Sequence, residues 1–197
     1  MRNRHQPVHR LILITGGARS GKSSFAEAMA RQLAGDQVAC IVTLDASHND
    51  PEMAARIERH RARRPANWQT VEAPRDLAEA LHATANQLAL VDCLTVWLAN
   101  RLEAAGDDVD ESAVSAWIDG ITAAAKARQR PSIIVTNEVG SGIVPMTPLG
   151  RTFRDLAGRA NQRLGAAADE VWLMVAGQPL RLKPNENAPS WWTGRER

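Results

Sequence analysis

Short apolar runs alternate along this chain with longer stretches whose apolar residues return every three or four positions. Leu11-Ile12-Leu13-Ile14-Thr15 is a β-rich run that leads straight into glycine and predicts a strand. Ser23 to Leu33 predicts a helix, with Phe25, Met29 and Leu33 at i, i+4 and i+8 on one face. A second strand is expected over Val38 to Leu44. Asp50-Pro51-Glu52 reads as a helix start, with Asp as N-cap, Pro at the first helical position and Glu in the first turn. The helix it opens runs toward Arg63 and is closed by Pro65. Trp68 to Glu72 predicts a short strand, Arg75 to Ala85 a helix, and Leu88 to Asp92 a strand ending on an acid. Helices are expected near 94–104 and 111–128, parted by Gly106-Asp107-Asp108. Ser132 to Thr136 predicts a strand running into Asn137-Glu138, Leu149 to Ala168 a long helix, Glu170 to Ala176 a strand, and Gln178 to Lys183 a last short one.

These strands are apolar throughout, which suits a parallel sheet covered on both faces. Their alternation with helices predicts a three-layer α/β fold. A length of 197 residues suits a single domain over 11–183, with a basic tail at 1–10 and a Pro-, Asn- and charge-bearing tail at 184–197 that carries Trp191-Trp192. Composition changes this picture little. A net charge of +2 without a long single-sign block gives no reason to expect a nucleic-acid partner. No apolar stretch approaches the length of a membrane span and no targeting signal is evident, so the cytoplasm is the expected location. Cys40 and Cys93 each sit inside an apolar run, as reduced core thiols do.

Candidate chemistry begins where the first strand ends. Gly16-Gly17-Ala18-Arg19-Ser20-Gly21-Lys22-Ser23 is a full match to G-x-x-x-x-G-K-[ST], and it lies between a strand and a helix as a phosphate-binding P-loop must. Glycines let successive N–H groups turn toward one anion, and the helix N-terminus adds its positive end. Lys22 can reach the β/γ-phosphates and Ser23 can place its hydroxyl on Mg²⁺. The expected fold is thereby a P-loop NTPase-like, RecA-like one, with a mostly parallel central sheet and flanking helices. Asp92 suits a second contact to Mg²⁺ or its water shell; a cap on the following helix is the plainer reading. Asn137 and Glu138 stand at a strand end where ligands of open α/β sheets bind, and are candidates for substrate contact.

The stretch from Pro51 to Arg64 is the second informative feature. On a helix Met53, Ile57 and His60 share one face, which by itself fits a histidine on an apolar stripe. Yet Arg56, Arg59, Arg61, Arg63 and Arg64 all lie within five residues of His60, and such a cluster suits a polyphosphate. Neighbouring cations disfavour imidazolium, so His60 is expected to be neutral and nucleophilic. Phosphate binding and covalent catalysis at phosphorus are both open to it.

Ile14–Ser23, Glu52–Ile57, His60 with Arg64-Pro65-Ala66, Trp68, Thr136–Gly140, Gly142–Pro145, Phe153–Leu164 and Asp169–Trp172 together resemble the bifunctional adenosylcobinamide kinase / adenosylcobinamide-phosphate guanylyltransferase family. The likeness runs from Leu11 to Lys183 and is far more specific than the P-loop alone. It implies two reactions of cobalamin biosynthesis: phosphorylation of adenosylcobinamide by ATP or GTP, then transfer of GMP from GTP to adenosylcobinamide phosphate through a GMP-histidine intermediate, with release of pyrophosphate. It implies His60 as nucleophile. Nucleotide-binding positions would be Gly16–Ser23, Thr43, Leu44, Asp45, Arg61, Ala62, Arg63, Arg64, Glu72 and Asp92. Mg²⁺ as cofactor and a homotrimeric assembly are also implied. Asp92 stands where some relatives carry Glu, and the two tails look like additions to the family pattern.

Overall fold

The computed structural model describes residues 10–45, 64–106 and 109–184. Residues 1–9, 46–63 with the helix expected from Asp50 toward Arg63, 107–108 and 185–197 lie outside them. Seven strands form one sheet: β1 (Leu11–Gly16), β2 (Val38–Val42), β3 (Gln69–Glu72), β4 (Leu88–Asp92), β5 (Ser132–Val135), β6 (Glu170–Val175) and β7 (Gln178–Lys183). Among the described residues five helices accompany them: α1 (Lys22–Ala34), α2 (Leu77–Ala83), α3 (Leu94–Ala105), α4 (Glu111–Lys126) and α5 (Pro148–Ala167). The strand order is β3-β2-β4-β5-β1-β6-β7, parallel throughout except for β7, which runs antiparallel to β6.

Alternate residues of each inner strand feed two separate apolar layers. Leu11 and Leu13 join Ile41, Val91 and Ile134 beneath helices α2 to α5. Ile12 and Ile14 join Cys40, Leu90 and Val135 on the opposite face, against α1. The expected stripe of Phe25, Met29 and Leu33 packs on that second layer. Burial on both faces is why these strands carry no polar alternation.

Some boundaries differ from the sequence pattern, each for a local reason. The strand expected to reach Leu44 stops at Val42, and Thr43 turns its side chain to the neighbouring strand end, where its hydroxyl engages both the N–H and the C=O of Cys93 at 2.9 and 2.7 Å. The helix expected from Arg75 starts at Leu77, and the Arg75 carbonyl accepts from the indole N–H of Trp97 at 2.8 Å. That helix ends at Ala83, and the Thr84 hydroxyl donates back to the Ala80 carbonyl at 2.8 Å. The last hairpin turns on Ala176 and Gly177, both at positive φ (51° and 78°), the two-residue turn whose twist matches antiparallel strands.

Candidate active site

All strands but β7 point the same way, so the loops after β1 to β6 emerge at one edge of the sheet. The site residues expected from sequence gather there in the order of the strands. Glu72 ends β3, Thr43-Leu44-Asp45 follow β2, Asp92 ends β4, Asn137-Glu138 follow β5, and Gly16–Ser23 follow β1. From β3 to β1 is four strand spacings, about 19 Å. His60, Arg61, Ala62 and Arg63 lie outside the described residues.

The loop after β1 is shaped by its glycines. Gly21, at φ 95°, is the N-cap of α1, and the Phe25 N–H donates to its carbonyl at 3.0 Å. A Cβ on Gly16 would lie 2.6 Å from the Met174 carbonyl oxygen and 2.7 Å from Ser20 Oγ, so only glycine fits there. Arg19 also takes positive φ, 58°, at the exposed crest of the loop with Gly17 and Ala18. Neighbouring strands hold both flanks: the Glu138 N–H donates to the Gly16 carbonyl and the Gly177 N–H to the Ser20 carbonyl, each at 3.0 Å. Lys22 is buried at the foot of the loop, where its ammonium donates to the Gly17 carbonyl at 3.0 Å. Ser20 Oγ is buried with no hydrogen-bond partner among the described residues, a polar group that a ligand oxygen could satisfy.

Around Asp92 the contacts are side chain to strand end. Arg64 reaches its carboxylate at 3.5 Å, and both side chains are largely buried. The Thr43 N–H donates to the Asp92 carbonyl at 3.3 Å, and Asn100 of α3 donates to the carbonyls of Thr43 and Pro74 at 2.7 and 3.0 Å. Burial above all, with Asp92 adding to it, pushes the Cys93 thiol up to about 11; the nearby Lys22 ammonium opposes this weakly. The side-chain oxygens offered by Ser23 after the loop and by Asp92 at the end of β4 are hard donors, the chemistry that fits Mg²⁺. Asp45 pairs with Arg75 at 3.4 Å, and Glu72 is exposed.

A polar network missed by sequence reasoning fixes the end of β5. Thr136 Oγ donates to Asn161 at 2.8 Å and lies 3.1 Å from Thr95 Oγ; Thr95 Oγ accepts the Asn137 N–H at 2.7 Å; the Asn161 amide donates to the Asn137 carbonyl at 3.0 Å. The one signal for it was a polar residue on an otherwise buried helix face: Thr95 among Leu94, Trp97 and Leu98.

A P-loop between β1 and α1, set in a mostly parallel sheet with strand-end acids beside it, defines a nucleotide-binding enzyme of the RecA-like class. A solved ATPase domain shares the fold, at TM-score 0.52 and 13% identity over 84% of this chain and 69% of that one. Residues 12–182 match the family described as cobinamide kinase / cobinamide phosphate guanyltransferase, and the chain belongs to that family. The bifunctional adenosylcobalamin biosynthesis protein CobU of Escherichia coli (strain K12) is 45% identical over 184 residues, covering 88% of this chain and 99% of its own. CobP of Pseudomonas aeruginosa, under the same description, is 43% identical over 177 residues, covering 87% and 96%.

Proposed function

We propose that this chain carries both activities of its family. It phosphorylates adenosylcobinamide with ATP or GTP, and then transfers GMP from GTP to adenosylcobinamide phosphate through a GMP-histidine intermediate on His60. The observation that carries the reading is a family match over residues 12–182, including a complete P-loop built on the first strand. One catalytic domain over 11–183 would act, with tails on either side, in the cytoplasm and as the homotrimer that the resemblance implies.

Gly16–Ser23 bind the phosphates through backbone N–H groups, the α1 N-terminus and Lys22. Ser23 and Asp92 would hold Mg²⁺, directly or through water, and the ion would supply positive charge against the phosphates. In the kinase step the loop presents the γ-phosphate to the acceptor hydroxyl. In the second step His60 attacks the α-phosphorus, and the P-loop retains the departing pyrophosphate, stabilising charge as it develops. Asp92, Thr43–Asp45 and Glu72 continue from the phosphate loop across the sheet, and the whole span from loop to Glu72, about 19 Å, suits an extended nucleoside triphosphate. Arg61, Ala62, Arg63 and Arg64 would meet that nucleotide from the histidine segment. Asn137 and Glu138 would meet the acceptor.

Incubation with GTP labelled at the α-phosphorus tests the covalent step. The protein should acquire an acid-labile, base-stable label, as a phosphoramidate does, and His60→Ala should lose it while keeping kinase activity. A wild-type protein that stays unlabelled under these conditions rules the intermediate out.

A further inference from the structure

Glu72, Asp45, Asp92 and Glu138 stand on the strand-end edge, and Glu138 is the one whose backbone is bonded to the P-loop. Asp45 is paired with Arg75 and Asp92 with Arg64. Glu138 has no cationic partner among the described residues, and its side chain is half exposed. Its own N–H is fixed to the Gly16 carbonyl at 3.0 Å, which ties it to the first residue of the phosphate loop. The preceding residue is locked by the Thr95–Thr136–Asn161 network. Glu138 Oε1 accepts the Gly140 N–H at 2.8 Å, leaving Oε2 open. A carboxylate oxygen left open beside the phosphate loop has the chemistry of a general base.

The chain that leaves Glu138 then exposes apolar side chains. Ile143 is 97% exposed, Met146 95% and Leu149 75%, with Val144 beside them. This segment is not loosely draped. Arg151 donates to the carbonyls of Pro145 and Met146 at 3.1 and 2.7 Å, and Thr147 caps α5 through the Gly150 N–H at 3.1 Å. A Cβ on Gly150 would lie 2.8 Å from Pro145 Cβ, so the first turn of α5 is packed close on the loop. The result is a scaffolded apolar prong. Ile143 lies within about 18 Å of Glu138 even along fully extended chain. Apolar side chains held out in water in this way mark a binding surface.

We infer that the β5–α5 connection is the acceptor site: Glu138 takes the proton from the acceptor hydroxyl, and the Ile143–Leu149 prong seats the apolar face of the corrin macrocycle that carries it. This rests on the cobinamide reading above. The macrocycle is large and presents hydrocarbon surface between its peripheral amides, its hydroxyl hangs on a flexible arm, and that hydroxyl must arrive at the γ-phosphate. The prong is joined to the phosphate loop through Glu138 itself. In the step, the hydroxyl oxygen forms a bond to the γ-phosphorus, and the bond from that phosphorus to the β–γ bridging oxygen breaks. Its electron pair leaves with the nucleoside diphosphate, and the hydroxyl proton passes to Glu138 Oε2. Guanylyl transfer places different demands on the site. Its acceptor oxygen belongs to a phosphate and has no proton to lose, so the macrocycle seat is needed but the base is not.

Two variants separate these roles. Glu138→Gln should lower kcat for adenosylcobinamide phosphorylation roughly 100-fold, and should lower transfer of GMP to supplied adenosylcobinamide phosphate at least tenfold less than that. Ile143→Asp/Met146→Asp, changed at exposed positions, should raise KM for both corrinoids at least tenfold and leave KM for GTP and the oligomeric state unchanged. Equal loss of both activities in Glu138→Gln would overturn the base assignment. Unchanged corrinoid KM in the prong variant would overturn the seat, and a changed assembly size by light scattering with unchanged corrinoid KM would give the surface to a second copy of the chain instead. A wild-type protein that phosphorylates no cobinamide would remove the functional reading itself, before any variant is compared.

Discussion

Cys40 and Cys93 show how burial sets the chemistry of single residues here. Both thiols are free, and burial pushes them up to about 12 and about 11. At neutral pH they are core groups and unreactive. Because the folded chain holds these protons more tightly than the unfolded one, their contribution to stability is complete below pH 9 and is lost as pH rises toward 11 and 12. Each thiol should remove roughly 1.4 kcal/mol per pH unit in that window. The urea midpoint is therefore expected to fall between pH 9 and 11, and to fall less steeply in Cys40→Ala/Cys93→Ala. An equal slope in the variant would refute the assignment. At this scale the sequence was informative where a residue's role is local: the apolar neighbours of both cysteines announced their burial, and the spacing of Gly16, Gly21 and Lys22 announced the loop. It was silent on Thr43 as a clamp on Cys93, because that contact joins residues fifty positions apart.

Elements are held together by polar groups whose purpose appears only once they meet. Arg128 follows α4 and is 1% exposed. Its guanidinium donates to the carbonyl of Leu81 and to Thr84 Oγ and the carbonyls of Thr84 and Gln87 at 3.0, 2.8 and 2.6 Å, closing the C-terminal end of α2. Burial lowers its pKa to about 10, which still leaves it charged at neutral pH. Arg128→Met keeps much of the volume but strands those acceptors, and should cost about 3 kcal/mol in denaturant unfolding. A loss below 1 kcal/mol would mean that water replaces the guanidinium. The sequence expectation ran the helix through Arg128, as its periodicity allows, and nothing local distinguished this arginine from a solvated one. Helix α1 was the opposite case: its stripe of Phe25, Met29 and Leu33 named the face that packs, since one buried face at period 3.6 is a local property.

For the whole molecule, one edge of one sheet gathers every described site residue, so nucleotide binding should report on global stability. Ligand at a hundred times its Kd stabilises by about 2.7 kcal/mol, which for a chain of this size raises Tm by about 5–10 °C. GTP with Mg²⁺ is expected to produce such a shift in wild type and none in Lys22→Ala. An equal shift in that variant would place the nucleotide elsewhere. Among the described residues no helix is long and apolar enough to cross a membrane. The edge also explains why residues scattered from Gly16 to Glu138 can act on one ligand: parallel strands put every loop that follows them on the same side.

The sequence by itself determined the repeating β–α pattern, the phosphate loop, the strand-end positions of Asp92, Asn137 and Glu138, and the family. These are properties of neighbours along the chain: a period of burial, a glycine where the backbone must turn tightly, an acid after an apolar run. Only the tertiary structure decided that β1 lies between β5 and β6, that β7 reverses, that Arg64 meets Asp92 while Glu138 has no cation beside it among the described residues, and that Thr95, Thr136 and Asn161 lock the strand end beside the P-loop. Strand order and buried polar pairing depend on which distant segments share a surface, and they are settled by the joint packing of the sheet's two faces.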